Sequence, residues 1–224
     1  MRLYTIQPRF VYDTLLSGCS FVPEPLKQAG HWLEDETDQA RRAYEWLCQQ
    51  MQQRGLARPH AQAYPVWGWY HWAGPGRPRP DLRTASLKSW AKESRHVLFT
   101  LEVPDDSVLL HDYDAWHWAL NYWYLARPRA HRDFERRCKA AGQDFYRNKP
   151  LPDPLLHQEL MQSWEQMFNL DKSREVLEGR RRDQAVQATF WTIEPAHVQE
   201  ALEFGADTRA IRLPLPHQQE RLAT

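Results

Sequence analysis

The sequence carries no surplus of charge of either sign: its 224 residues hold 29 Lys+Arg and 29 Asp+Glu. A protein that grips nucleic acid mainly through phosphates needs excess basic side chains to displace counterions, so at whole-chain level that mode is excluded. Only a local basic face remains open to it. Long apolar runs are also missing. Nothing approaches the roughly 20 residues of a membrane helix. The opening Met1-Arg2-Leu3-Tyr4-Thr5-Ile6-Gln7 lacks the charged and apolar blocks of a signal peptide, so a cytoplasmic protein without membrane contact is expected. Cysteine is scarce, and Cys19, Cys48 and Cys138 lie far apart and odd in number, which supports neither a disulfide framework nor a zinc ribbon. The nine glycines never fall into a P-loop, a dinucleotide fingerprint or a nucleophile elbow, which argues against ordinary kinases, dehydrogenases and hydrolases.

Aromatics are abundant. Eleven Trp, nine Tyr and eight Phe supply large apolar areas, so fewer aliphatic residues are needed to build a core. The residue pattern predicts strands at residues 3–7, 96–103, 108–110 and 186–193, with alternation clearest over His96–Val103, and aromatic density predicts another at 64–72. Three- and four-residue spacing predicts helices over 9–17 and 35–54, one carrying Trp116 and Leu120 and capped by Asp112 or Asp114, one over 130–141, and one with Leu156, Leu160, Trp164 and Met167. A short helix is expected from Pro195 through Phe204. Strands alternate with helices, so the expectation is one α+β domain over 1–213, with a mixed, mostly antiparallel sheet and helical insertions. Residues 214–224, beginning Pro214-Leu215-Pro216, read as a mobile tail.

Leu3-Tyr4-Thr5-Ile6-Gln7, the segment Tyr64 to Tyr70, Asp81-Leu82-Arg83, the stretch from Val103 to Asn121, and Gln187-Ala188-Thr189-Phe190-Trp191 together resemble an uncharacterised bacterial family, domain of unknown function 3841. This resemblance supplies no activity. The first strand, short helix and Gly18 are also similar to the opening of ADP-ribosyltransferases of the DNA-modifying toxin and RNA-phosphotransferase type. Val186 to Trp191 with Val198 is similar to their last motif. That likeness implies an ADP-ribosyltransferase-like fold, NAD as cofactor, and a nucleic-acid or protein target. Breaking the nicotinamide bond develops oxocarbenium character at the ribose, so one strand must hold the ribose while another orients the nucleophile. The family's histidine position falls on Thr5 and its catalytic glutamate on Gln187. Neither residue can act as a general base, so the likeness implies NAD binding more directly than transfer. The implied cleft uses Gln187 as the catalytic position, Thr5 and Gln7 on the first strand, Trp67 or Tyr70 for stacking, and Arg83 for a phosphate. Thr5 and Gln187 equally fit solvent-facing strand positions.

Other constellations have simpler readings. His111, Asp112, Asp114 and His117 crowd together but match no standard ligand spacing, and no metal is expected. Arg174 and Arg180-Arg181-Arg182 sit among Asp171, Glu175, Glu178 and Asp183, which reads as a solvated charged helix end. Arg83 also suits a structural ion pair with a nearby acid. Tryptophan, tyrosine and arginine dominate interface hot spots, so a non-enzymatic module binding a protein through a Trp-rich surface is the rival expectation. Burial of Trp67, Trp69, Trp72, Trp116 and Trp118 would count against it.

Overall fold

The computed structural model describes residues 1–25, 38–91, 94–206 and 208–216, without the side chain of residue 90. Among the described residues, seven strands form one sheet: β1 (Arg2–Pro8), β2 (Val66–His71), β3 (His96–Glu102), β4 (Leu109–Asp112), β5 (Val186–Phe190), β6 (Val198–Gly205) and β7 (Thr208–Arg212). Their order is β4-β5-β2-β1-β3-β6-β7, and each pairing is antiparallel. The helices are α1 (Arg9–Leu16), α2 (Gln39–Gln53), α3 (Ala85–Trp90), α4 (Tyr113–Leu120), α5 (Pro128–Ala140), α6 (Pro154–Ser163) and α7 (Leu170–Val176). The chain is therefore the α+β domain expected. The first residues of the helix expected over 35–54 lie outside the described residues.

Strand parity divides the core. Leu3, Val97, Phe99, Leu101, Val66, Ala188 and Phe190 face one side, where Val11, Tyr12 and Leu15 of α1 cover them. The other side of β4-β5-β2 meets a thick helical layer, whose core includes Trp46, Leu47, Trp116, Phe134, Leu160 and Trp164. The helices of that layer are inserted between β1 and β2 and between β4 and β5, and they bury much of the aromatic content. A smaller cluster, with Ala91, Leu98, Phe204, Tyr4 and Ile6, covers the same side of β1-β3-β6.

Three local expectations change. The helix expected from Pro195 is a single 3-10 turn, Pro195–His197, followed by the strand β6. Its alternation is hidden because Glu203 is buried, with Arg9 at 2.7 Å and Arg95 at 3.3 Å holding its carboxylate. The helix expected over 130–141 begins two residues earlier, with Pro128 in the first turn of α5, where its missing N–H costs nothing. The chain past 213 is also tied down: the Tyr12 hydroxyl donates to the Pro214 carbonyl at 2.9 Å, and Leu215 packs against the core beneath α1. Residues 217–224 of the expected tail lie outside the described residues.

Candidate functional site

β1 pairs with β3 over seven residues, but with β2 only at Tyr4 and Trp69. The sheet is thus seamed between β1 and β2. Where ladder bonds are missing, the Thr5 hydroxyl donates to the Trp67 carbonyl at 2.6 Å and the Gln7 amide donates to the Thr5 oxygen at 2.8 Å. Gly68 lets the strands approach here, because a Cβ would meet the Phe190 ring at 3.3 Å and the Tyr4 carbonyl at 3.4 Å.

The strands that carry the sequence candidates, β1, β2 and β5, are neighbours. Their side chains nevertheless separate by pleat. Gln187 pairs with Trp69 across one ladder and with His111 across the other, so Gln187, Trp69, Trp67 and His111 share the face toward the helical layer. Thr5, in register with Phe99, points the other way, as do Gln7 and Tyr70. A pocket shared by Gln187 with Thr5 or Gln7 is therefore corrected by parity: the β1 residue in line with Gln187 is Tyr4. Thr5 is fully buried and serves to fasten β1 to β2. Arg83 is exposed, and its guanidinium holds Asp81 through bonds of 2.8 and 2.9 Å. It borders a shallow cleft of about 360 Å3 together with Trp72, Arg77 and Arg79. Trp72 touches Trp69 at 4.6 Å between ring centroids, which links this basic rim to the Gln187 face.

Gln187 is 8% exposed rather than solvent-facing. Its amide oxygen, the Trp67 indole nitrogen and both His111 ring nitrogens are buried without a hydrogen-bond partner among the described residues. Aromatic rings surround them: Trp67 lies 5.4 Å from His111 and 5.1 Å from Trp116. Burial pushes the His111 pKa down to about 4, so its imidazole is neutral at pH 7 and offers one donor and one acceptor. The set holds unpaired donors and acceptors, while Gln187 does not titrate and His111 is a weak base. Sequence reading missed His111 as a member of this group; its alternation with Leu109 in β4 was the available signal.

Beside this face lies a buried ionic knot. Asp112 caps α4 through the N–H groups of Asp114 and Ala115, at 2.9 and 3.1 Å. Its second oxygen accepts from Ser173 at 2.9 Å, Arg174 Nε at 2.6 Å and Gln184 at 2.7 Å. Arg174 was expected in a solvated helix end; it is 7% exposed and pairs with both Asp112 and Asp114. Local sequence misled because the partner carboxylate is 62 residues away. Burial alone would raise the Asp112 pKa, but hydrogen bonds from Arg174, Gln184 and Ala115 hold it below the usual carboxylate value.

Trp116 is buried, and Trp67, Trp69, Trp72 and Trp118 are half-buried. The large hydrophobics exposed among the described residues are Phe10, Tyr146, Leu155 and Ile211, so these tryptophans form no open apolar patch.

Fold and site define a seamed antiparallel α+β domain with an aromatic, hydrogen-bonding face beside the seam. The family model of a domain of unknown function, DUF3841, matches residues 2–199, and the chain belongs to that family. Neither the curated proteins nor the solved structures contain a match. Among the described residues, no helix is long and apolar enough to cross a membrane.

Proposed function

We propose that this protein binds NAD through the Gln187 face of the seam, as an ADP-ribosyltransferase-like protein directed at a nucleic-acid or protein target. The observation that carries the reading is the unpaired polar set of Trp67, His111 and Gln187, gathered from β2, β4 and β5 among aromatic rings, with Gln187 on the strand that the resemblance assigns to catalysis. Buried polar groups are normally hydrogen-bonded, so such a concentration on one face calls for a partner. A nicotinamide carboxamide or an adenine edge presents donors and acceptors in a plane, and aromatic walls favour stacking. The arginine rim at Arg77, Arg79 and Arg83 suits a pyrophosphate, reached across Trp72 and Trp69. Gln187 can hydrogen-bond a ribose hydroxyl but cannot take a proton, so the reading assigns binding to this face and no base to Gln187.

Calorimetry and thermal shift with NAD test this reading. Specific binding raises the melting temperature by mass action. Gln187→Met keeps the side chain's length and removes an unpaired amide oxygen, so it should leave stability nearly unchanged while weakening NAD binding. No heat and no shift at millimolar NAD refute the reading, as does unchanged affinity in Gln187→Met.

A further inference from the structure

A separate cleft of about 440 Å3 opens within the helical layer, between α2, α6 and the residues that follow α4. It shares no residue with the Gln187 face. Its volume falls within the range of small-molecule sites, about 300–1,000 Å3. Trp46, Trp164 and Met161 give it an apolar wall, with the two indoles edge-to-face at 5.2 Å. The charged side chains of the lining are already engaged. Glu45 accepts from the Tyr64 hydroxyl and from Arg58 at 3.2 Å, and Arg41 and Arg42 have partners of their own, the Lys149 carbonyl at 3.0 Å being one for Arg42. The neutral polar groups of the lining include the His157 ring on α6 and the exposed Gln49 amide on α2.

Tyr122 fixes how the histidine meets this cleft. It follows the end of α4 with a φ of 60°, in the left-handed position that closes many helices and is usually glycine. A side chain there costs about 1 kcal/mol, so the phenol is held in place against a backbone preference. Its hydroxyl accepts the Leu151 N–H at 2.9 Å and bonds to His157 Nδ1. With Leu151 donating to the oxygen, the phenol proton goes to Nδ1, and the imidazole proton resides on Nε2. Burial, and then the charge of Arg42, lowers the His157 pKa, which keeps the ring neutral and this tautomer in place at pH 7. Nε2 itself has no hydrogen bond among the described residues. The cleft thus holds an aromatic wall, an oriented N–H donor and an amide, with no charge left to pair.

We infer that this cleft binds a neutral aromatic carbonyl compound: a ring against Trp46 and Met161, and a carbonyl oxygen that accepts from the Nε2–H of His157 and from the Gln49 amide. A carbonyl has two lone pairs and no proton, so it takes both donors, and the indole wall selects for a ring. Because the charged groups of the lining already have partners, a charge on the ligand adds no strength. The site is independent of the Gln187 face and of NAD.

Acetophenone, toluene, acetone and benzoate are titrated separately into the full chain, followed by calorimetry and ligand-observed NMR. Acetophenone should bind, with toluene and acetone each at least about tenfold weaker because each lacks one half of the contacts, and with benzoate no tighter. His157→Phe keeps a ring and removes the N–H, and should weaken acetophenone about tenfold. Gln49→Leu changes an exposed position that leaves the fold intact, and should weaken it about threefold. Gln187→Met should not change it. Absence of acetophenone binding at millimolar concentration overturns the inference, as does unchanged affinity in both His157→Phe and Gln49→Leu. So does toluene binding as tightly as acetophenone, which leaves only an apolar hollow, or benzoate binding more tightly, which makes this an anion site. A loss of acetophenone affinity in Gln187→Met places the ligand on the other face and overturns it too.

Discussion

Replacing Asp112 by alanine removes a carboxylate that is fully buried and accepts six hydrogen bonds, from the N–H groups of Asp114 and Ala115, from Ser173, twice from Arg174, and from Gln184. Not all six are lost outright. Ser173 and Gln184 can still donate to the Leu170 carbonyl, at 3.1 and 2.9 Å, and Arg174 keeps Asp114 at 2.9 Å. What remains uncompensated is most of the Arg174 charge and the first turn of α4. Breaking a buried pair costs about 3–5 kcal/mol and losing an N-cap about 1 kcal/mol. The retained Asp114 contact places the sum near 4 kcal/mol, a large part of the roughly 5–15 kcal/mol that holds a domain together. For a chain of this size that is a fall in Tm of about 8–16 °C. Urea unfolding followed by tryptophan fluorescence should show a lower midpoint with unchanged slope. The Asp112 pKa is depressed in the folded state, so its contribution is complete above the unfolded value and disappears as pH falls through the folded one. Wild type and variant should therefore differ by a constant amount from pH 5 to 8 and converge below about pH 4. Asp112→Ala with Arg174→Met, which removes both charges, should be more stable than Asp112→Ala alone. A loss below about 1.5 kcal/mol, or a double variant worse than the single one, would refute the buried-pair account.

Other outcomes follow from individual positions. His111 has its pKa lowered to about 4 by burial, so the unfolded chain takes up a proton that the folded one refuses, and roughly 3 kcal/mol of stability should drain away between about pH 6.5 and 4. His111→Leu should flatten that part of the pH–stability curve, measured by urea midpoints at each pH; an unaltered acid limb contradicts the assignment. Gly74 combines a φ of +87° with a position where a Cβ would lie 1.9 Å from the Arg182 carbonyl oxygen, whereas Gly55 has the same φ and open space. Gly74→Ala should cost more than about 3 kcal/mol and Gly55→Ala only about 1 kcal/mol, so equal losses by thermal melting would disprove the close-approach argument. Thr5→Val keeps the shape but strands the Trp67 carbonyl and the Gln7 amide, a loss of about 2 kcal/mol that Thr5→Ser should largely avoid. Similar stability for the two variants in denaturant titration would mean the hydroxyl does not hold the seam.

Elements with a local signature are legible in the residue pattern alone. Phe99 and Leu101 alternate along β3, Asp112 stands where a cap should, and Trp116 and Leu120 repeat at helical spacing, because backbone bonding within a helix or along a strand imprints its period on nearby residues. The single α+β domain, and the placing of Thr5 and Gln187 on strands, came from that same periodicity, and aromatic density placed Trp67 on one. Arg83 was also legible as an ion pair, since its partner Asp81 is two residues away.

Relations between distant segments left no such imprint. Period two shows that Thr5 and Gln187 occupy strands but not how the strands register, and one residue of register decides which face a side chain joins. Glu203 looked too polar for a buried strand until Arg9, 194 residues away, neutralised it. Arg174 looked solvated until the fold brought it to Asp112. Sequence by itself determined the balanced charge, most helices and strands, and the family. Tertiary structure alone decided the seam between β1 and β2, the separation of Thr5 from Gln187, and the gathering of Trp67, His111 and Gln187 on one face, because partners far apart along the chain meet only when the sheet assembles.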